Sequence, residues 1–426
     1  MLFRSALQRL KRHADALASF RDAIALNPAF TDAWLNLAGL LRELRRFDES
    51  IKAFSAALKI SPSDAELLQA RAEVYADIGE TDLAMSDLEH ALHLKPGNAN
   101  SMWARSFIEL STGNFQSGFD LFEYRFRQTK TPAKFFQTRR PLWTPTYKRS
   151  RVLIWSEQGL GDEIFFSRWL RFCSNIADSA LIAVDGRMIP IYELSFPTLQ
   201  FIRKDLIPDR SDYDCHLPMG SLPKATSELK IDWRETIQSS YLKIDESDVL
   251  DIKAKLNAPA NRRIVGLTWK SERPGLGAAK SVSLQEMLPI LRVPNCIFVN
   301  LQYGDCTEDL ARIESEHGIT ILTVRDVNNK DDLPSHAALL QCCDSLVLTC
   351  NATAHLAGAM GVAGRVLAPK GNSQLWYWLY RHNQRPFWYP SLKVFDQDLT
   401  LTWEKPIDRL ATEMKCADFA TLVGPK

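Results

Sequence analysis

No stretch of this 426-residue chain is apolar for long enough to cross a bilayer, which takes about 20 consecutive residues. Its start, Met1-Leu-Phe-Arg-Ser-Ala-Leu-Gln-Arg9, lacks the continuous apolar core of a secretory signal, so a cytoplasmic location is expected. The eight cysteines are scattered, with Cys342 and Cys343 adjacent and no Cys-x-x-Cys pair. Neither a disulfide framework nor a zinc site is signalled, and reduced, mostly buried thiols are expected. An excess of one charge is missing too: 52 Lys and Arg against 51 Asp and Glu leave a formal net charge of +1, and no bulk electrostatic case for nucleic acid follows. Glycine is absent at one informative place. Gly159 and Gly161 lie one residue apart after an apolar strand, yet Ile164 stands where a dinucleotide fingerprint needs its third glycine. The remainder, 46% hydrophobic and 24% charged, describes a globular chain with room for about two or three domains.

The first part of the chain repeats. Pro28, Pro62 and Pro96 are 34 residues apart, as are Ala23, Ala57 and Ala91, and Phe20, Phe54 and Leu88 keep the same step. A unit of two helices closed by a proline at this period is the tetratricopeptide signature, and Trp34, Leu37, Ala57 and Pro62 fall at its expected places in the second unit. A fourth, degenerate unit from about Asn98 to Phe126 holds Trp103, Gly113 and Phe122 but ends in Tyr124-Arg-Phe-Arg127, as a cap against the next domain would. The chain opens on what reads as the second helix of a repeat (Ala16, Phe20, Ala23), the pattern of a truncated array or a late start. One such helical pair cannot bury its apolar face alone, so neighbours stack and generate a concave groove suited to a peptide; joining copies of the chain into a homo-oligomer is the plainer use. The repeated alanines and aromatics themselves are core positions.

From Pro132 to Arg149 the pattern breaks into a proline-rich, basic stretch, Lys134-Phe-Phe-Gln-Thr-Arg139-Arg140-Pro-Leu-Trp143, which reads as a linker. Strands and helices then alternate. Val152–Trp155, Ala180–Val184 and Leu199–Ile202 read as strands, with a short one near Tyr213–His216, followed by a linker around Tyr241–Pro259. A second unit starts at Arg263–Trp269 and continues through Cys296–Leu301, Ile319–Val324, Ser345–Leu348 and Arg365–Ala368, with helices near Leu284–Leu291 and Glu308–Glu316. A last helix, about Trp403–Lys415, is expected to pack back across the domains.

Four strand ends carry polar groups, where open α/β sheets hold their ligands. Trp155-Ser-Glu-Gln-Gly-Leu-Gly161-Asp162-Glu163 leads a strand into a helix with a carboxylate in its first turn, suited to a general base, with Glu163 and Glu157 as substitutes and helix capping as the bland alternative. Lys270-Ser271-Glu-Arg273 to Lys280 is a glycine-bearing loop whose cations could offset charge on a departing phosphate, although such loops are commonly basic for solubility alone. Asn300-Leu-Gln302-Tyr303-Gly-Asp305 ends another strand, with Gln302 and Tyr303 placed to read or stack on a base. At Cys350-Asn351-Ala352-Thr353-Ala-His355 a helix begins, and its free N–H groups would cradle a diphosphate. The plain alternatives are ordinary caps at Asn351 and Thr353 and a packed structural His355. The aromatic region Trp376–Tyr380 and Pro386–Pro390 reads mostly as core.

These motifs, in this order, resemble the repeat-bearing bacterial branch of the heptosyltransferase-like glycosyltransferases, and Asn300–Asp305 is similar to a stretch of the O-linked N-acetylglucosamine transferases. The resemblance covers nearly the whole chain. It implies an all-α tetratricopeptide superhelix (1–126) followed by two Rossmann-like α/β domains of GT-B type, one on the acceptor side (127–255) and one on the nucleotide-sugar side (256–426). It also implies an inverting, metal-independent transfer of a sugar from a nucleotide-sugar co-substrate, with no other cofactor. Asp162 would be the base and Lys280 the phosphate cation. Gly161, Lys270, Ser271, Arg273, Gln302, Tyr303, Asn351, Ala352, Thr353 and His355 would surround the donor. A protein serine or threonine held by the repeats is the implied acceptor, and flagellin is one acceptor of similar transferases. A glycan or lipopolysaccharide acceptor, and a catalytically degenerate scaffold, are the alternatives. Cys350 stands where related members carry aspartate, and the lysine that follows the Asn300–Asp305 stretch in the O-linked N-acetylglucosamine transferases has no counterpart here.

Overall fold

A 34-residue repeat of amphipathic segments can bury its apolar faces only by stacking, and the computed structural model of the chain does this over its first part. It describes residues 2–129, 133–147, 150–207, 212–234, 240–259, 261–272, 277–371 and 374–416. Contacts divide the chain into two compact units, Met1–Pro132 and Ala133–Lys426.

The first unit runs through α1 (Leu2–Leu26), α2 (Thr31–Glu43), α3 (Phe47–Ile60), α4 (Ala65–Ile78), α5 (Thr81–Leu94), α6 (Ala99–Thr112) and α7 (Phe115–Phe122), with α2 packed on α3, α4 on α5 and α6 on α7. Ala57, Ala91, Phe54 and Leu88 of the period are buried, while Phe20 and Ala23 in α1 are half-buried. The indole N–H of Trp34 donates to the carbonyl of Pro28 (3.0 Å), tying the proline turn to the helix after it. Asp64 and Asn98 cap α4 and α6 by accepting from the first-turn N–H groups, and Gly79 and Gly113 end the same helices in the left-handed conformation (φ 91° and 90°). Arg42 of α2 pairs with Asp77 at 2.6 Å and with Glu73, both on α4, so a half-buried ion cluster joins successive pairs.

In the second unit, β1 (Arg151–Trp155), α8 (Leu160–Phe166), α9 (Cys173–Ile176), β2 (Ser179–Val184), α10 (Ile189–Ser195), β3 (Gln200–Arg203), β4 (Cys215–Pro218) and α11 (Leu222–Glu228) form a parallel sheet of order β3-β2-β1-β4. The chain continues through α12 (Glu246–Leu256), β5 (Arg263–Leu267), α13 (Gly277–Lys280), α14 (Leu288–Leu291), β6 (Cys296–Asn300), α15 (Thr307–His317), β7 (Ile321–Leu322), α16 (Leu333–Gln341), β8 (Ser345–Thr349), α17 (Ala352–Met360), β9 (Gly364–Ala368), β10 (Arg381–His382), β11 (Arg385–Pro386), β12 (Leu392–Asp396) and α18 (Glu404–Cys416). Its main sheet has the order β12-β9-β8-β5-β6-β7 and is parallel throughout. Val152 to Trp155, Cys296 to Asn300 and Ser345 to Thr349 are buried without alternation, as strands covered on both faces must be. Strand order reverses between β1 and β4 in the first sheet and between β5 and β8 in the second, and crevices for ligands open at such points.

Three readings of the sequence are corrected. Within the expected linker 132–149, His216 N–H donates to the Pro141 carbonyl, Trp143 N–H to the His216 carbonyl (2.8 Å) and the Trp143 indole to Ile176, so this stretch is laid along the edge of the first sheet. The linker expected at Tyr241–Pro259 holds α12, capped by Asp245 and packed on α16, while Tyr241 and Leu242 donate their N–H groups to the Ala359 carbonyl. The closing helix α18 buries Ile407, Leu410, Ala411 and Met414 in the core of the second sheet, beside Phe298, Leu367 and Phe395, instead of reaching across both sheets. A one-sided apolar face is satisfied by its own sheet. The strand β12 and the helix α16 were not anticipated.

Candidate functional site

Asp162 lies in the first turn of α8, which starts where β1 ends. Its Oδ1 accepts a hydrogen bond from the hydroxyl of Tyr377 at 3.1 Å, and the side chain is almost wholly buried. Helix α8 packs on α17, which follows β8 of the other sheet. The closest approach is at Gly161: a Cβ there would stand 2.8 Å from Cδ2 and 3.3 Å from Nε2 of His355. Two helix starts, one carrying a carboxylate and one offering first-turn N–H groups, are thereby held side by side.

His355 is buried; its Nδ1 is 2.8 Å from the hydroxyl of Tyr389, and its ring meets Tyr377 edge-on. Burial above all, then the charges of Lys280 and Arg168, hold it well below the usual imidazole range, so it is neutral at pH 7. Lys280, at the end of α13, is buried and close enough for its charge to act on His355 and Cys350. Cys350 is a neutral thiol, pushed up to about 12 by burial. Arg168, in the turn after α8, donates to the Phe165 and Trp388 carbonyls and lies over the rings of Phe165, Tyr241, Trp388 and Tyr389, joining the two sheets through a cation in an aromatic cage.

Asn351 is the N-cap of α17: its Oδ1 accepts from the N–H of Ala354, and its amide donates to Thr349. Ala352 opens the helix and is half-buried, and the Thr353 hydroxyl faces His336. Gly161, Asp162, Lys280 and His355 are therefore brought together around the start of α17.

A second group lies at the ends of β5 and β6, and here the expected roles change. Gln302 was expected to read a base, but its Oε1 accepts from the N–H groups of Trp269 and Lys270 and its amide donates to the carbonyls of Lys270 and Tyr303. All four of its bonding positions are used, so Gln302 clamps the two strand ends. Lys270 is ion-paired with Asp309, which also accepts from the Trp269 indole. The Tyr303 hydroxyl accepts from the N–H of Glu272 (3.3 Å), and Ser271 N–H donates to Ser281 Oγ (3.0 Å). Arg273 lies outside the described residues.

The substitute carboxylates have structural work. Glu163 is fully buried; it accepts from Ser156 Oγ (2.6 Å) and the N–H of Asp185 and faces Lys204 at 3.4 Å, gathering the ends of β1, β2 and β3. Burial raises its carboxyl above the ordinary value. Glu157 accepts from the N–H of Gly220. Tyr377, His336 and Asn329 were not singled out by sequence: Tyr377 is one aromatic among several, and no spacing marks the other two. Among the described residues, no group of three or more His, Cys, Asp or Glu is arranged to hold a metal ion, and no helix is long and apolar enough to cross a membrane.

Residues 1–65 and 65–98 match two family models, each described as a tetratricopeptide repeat. Over 336 residues the chain is 31% identical to "Protein FlbA" of Caulobacter vibrioides, a match covering 74% of this chain and 54% of that protein; the chain thus spans about half the length of this curated relative. Among solved structures it is similar to a glycosyl transferase of family 9 from Veillonella parvula (12% identity, 63% of this chain and 98% of that one, TM-score 0.47). It is also similar to the ADP-heptose LPS heptosyltransferase II of E. coli (12%, 62% and 100%, TM-score 0.40). A mutant O-GlcNAc transferase of Thermobaculum terrenum matches at 13% identity over 97% of this chain and 93% of that one, with a TM-score of 0.30.

Proposed function

We propose that this chain is an inverting glycosyltransferase that moves a sugar from a nucleotide-sugar donor to a serine or threonine hydroxyl of a protein held by the repeats. The observation that carries the reading is the pairing of the α8 and α17 starts through Gly161 and His355, with Asp162 on one and buried Lys280 beside the other. The acceptor hydroxyl attacks the anomeric carbon and passes its proton to Asp162. The bond from that carbon to the nucleoside diphosphate breaks, and the leaving oxygen keeps the electron pair. Lys280 and the first-turn N–H groups of α17 offset its charge, a task the reading gives to these groups without a metal ion. A nucleotide-sugar donor fits a cytoplasmic site of action, and flagellin is the first acceptor to try.

One observation favours a second reading. Cys350, as a buried neutral thiol at the end of β8, supplies no charge where related transferases are expected to carry aspartate, which suits a scaffold that has lost catalysis. Melting curves with UDP, GDP, ADP and CDP separate the two, because a ligand bound only by the native state raises the melting point. A selective shift that shrinks in Lys280→Ala is the expected result. No shift with any of them at millimolar concentration turns the assignment to the scaffold. With a donor in hand, Asp162→Ala should abolish transfer to flagellin, read by intact mass, and leave nucleotide affinity in place.

A further inference from the structure

The start of α17 and the chain leaving β6 are tied by three side chains. Asn329, in the turn before α16, has its amide nitrogen 3.2 Å from the Asn300 carbonyl and 3.1 Å from the Gln302 carbonyl. Carbonyl oxygens only accept, so this nitrogen is the NH2 group, and Oδ1 points the other way, 2.9 Å from Nδ1 of His336. An amide oxygen also only accepts; Nδ1 must carry a proton. His336 is fully buried, with its pKa pulled down to about 4 chiefly by desolvation, so it is neutral at pH 7 and its Nε2 is bare. The partner of Nε2 is the Thr353 hydroxyl at 3.2 Å, which must therefore donate. Each bond in the chain has one allowed direction: Thr353 to His336, His336 to Asn329, Asn329 to the carbonyls of Asn300 and Gln302.

We infer that His336 and Asn329 are positioning residues of the donor site, which hold the first turn of α17 against the chain leaving β6 and commit the Thr353 hydroxyl proton to His336 instead of to a ligand. The inference rests on the donor-site reading above. Thr353 then offers a diphosphate its backbone N–H, the group a helix start has to spare, and not its hydroxyl. The same chain connects the stretch 300–305 with the stretch 351–355, the two segments expected at the base and at the diphosphate of the donor. Gln302 is held from both sides, by Asn329 at its carbonyl and by residues 269 and 270 at its side chain.

Two measurements on the full chain test this. Long-range proton–nitrogen NMR of histidine-labelled protein, with His336→Gln to identify the signals, should show His336 protonated at Nδ1 and bare at Nε2 at pH 7; the opposite tautomer overturns the chain. Titration with UDP, GDP, ADP and CDP should show Thr353→Val weakening the best of them by about fivefold or more, the loss of one buried hydrogen bond, with Thr353→Ser within about twofold of the parent. Equal affinity in Thr353→Val and the parent overturns the positioning role. If the parent binds none of the four while the tautomer is as drawn, the donor-site reading fails and the positioning role falls with it. The wrong tautomer with intact binding removes the chain alone.

Discussion

Gly161 lies against the imidazole of His355, where an added Cβ would stand 2.8 Å from Cδ2, closer than two carbons pack. The ring cannot move aside freely, because Tyr389 holds its Nδ1 and Tyr377 and Trp378 pack around it. Gly161→Ala should therefore lower stability by about 1–3 kcal/mol, the usual range for overpacking a filled interior. Guanidinium unfolding checks it, and an unchanged midpoint would mean that α8 and α17 are free to part.

Tyr377→Phe removes one hydroxyl and nothing else. Under the proposed mechanism Asp162 is an ionised base, and a hydrogen bond to a charged acceptor contributes about 1.5–3 kcal/mol, so the proposed transfer should slow by about tenfold or more. Nucleotide affinity should stay near that of the parent. A fall in affinity with turnover intact would take Tyr377 away from Asp162 and assign it to the donor.

Acidification should destabilise the second unit, and His336 supplies part of the reason. Its folded pKa of about 4 lies below the ordinary 6.5, so the unfolded chain binds a proton that the fold refuses. Stability from this group is complete above about pH 6.5 and declines by up to ~1.4 kcal/mol per pH unit on the way down to about pH 4. Buried Glu163 works in the opposite sense, since its raised carboxyl favours the fold as the pH drops. The comparison that isolates His336 is the slope of stability against pH in the parent and in His336→Gln. Equal slopes between pH 4 and 6.5 would show that His336 is not held neutral.

In the repeat unit, Arg42→Ala should cost up to about 3–5 kcal/mol, because Asp77 loses its hydrogen-bonded cation and keeps only the nearby charge of Arg45. Asp77→Ala added to it should restore part of the loss. Urea unfolding of the single and double variants is the measurement, and simple additivity would show that the pair is not coupled.

Local pattern made much of this protein legible. The 34-residue period, the strands at Val152 and Arg263 and the helix start after Gly159 are carried by neighbours in sequence, because burying a helical face or a strand leaves a period of apolar residues that needs no knowledge of the partner. Tertiary structure alone decided what those residues meet. Tyr377 reaches Asp162 across 215 positions and Arg168 reaches the Trp388 carbonyl across 220, and such pairs obey no spacing. Gln302 reads as a ligand group at the end of a strand, yet folding uses all of its hydrogen-bonding capacity to hold residues 269, 270 and 303. The helix at Glu246–Leu256 is not legible in the sequence because its face is weakly apolar; only Ile252 and Leu256 are buried, and its place is set by packing on α16. Sequence determines which segments must hide an apolar face. The polar groups at their ends take their roles from whichever partners that burial brings within about 3 Å.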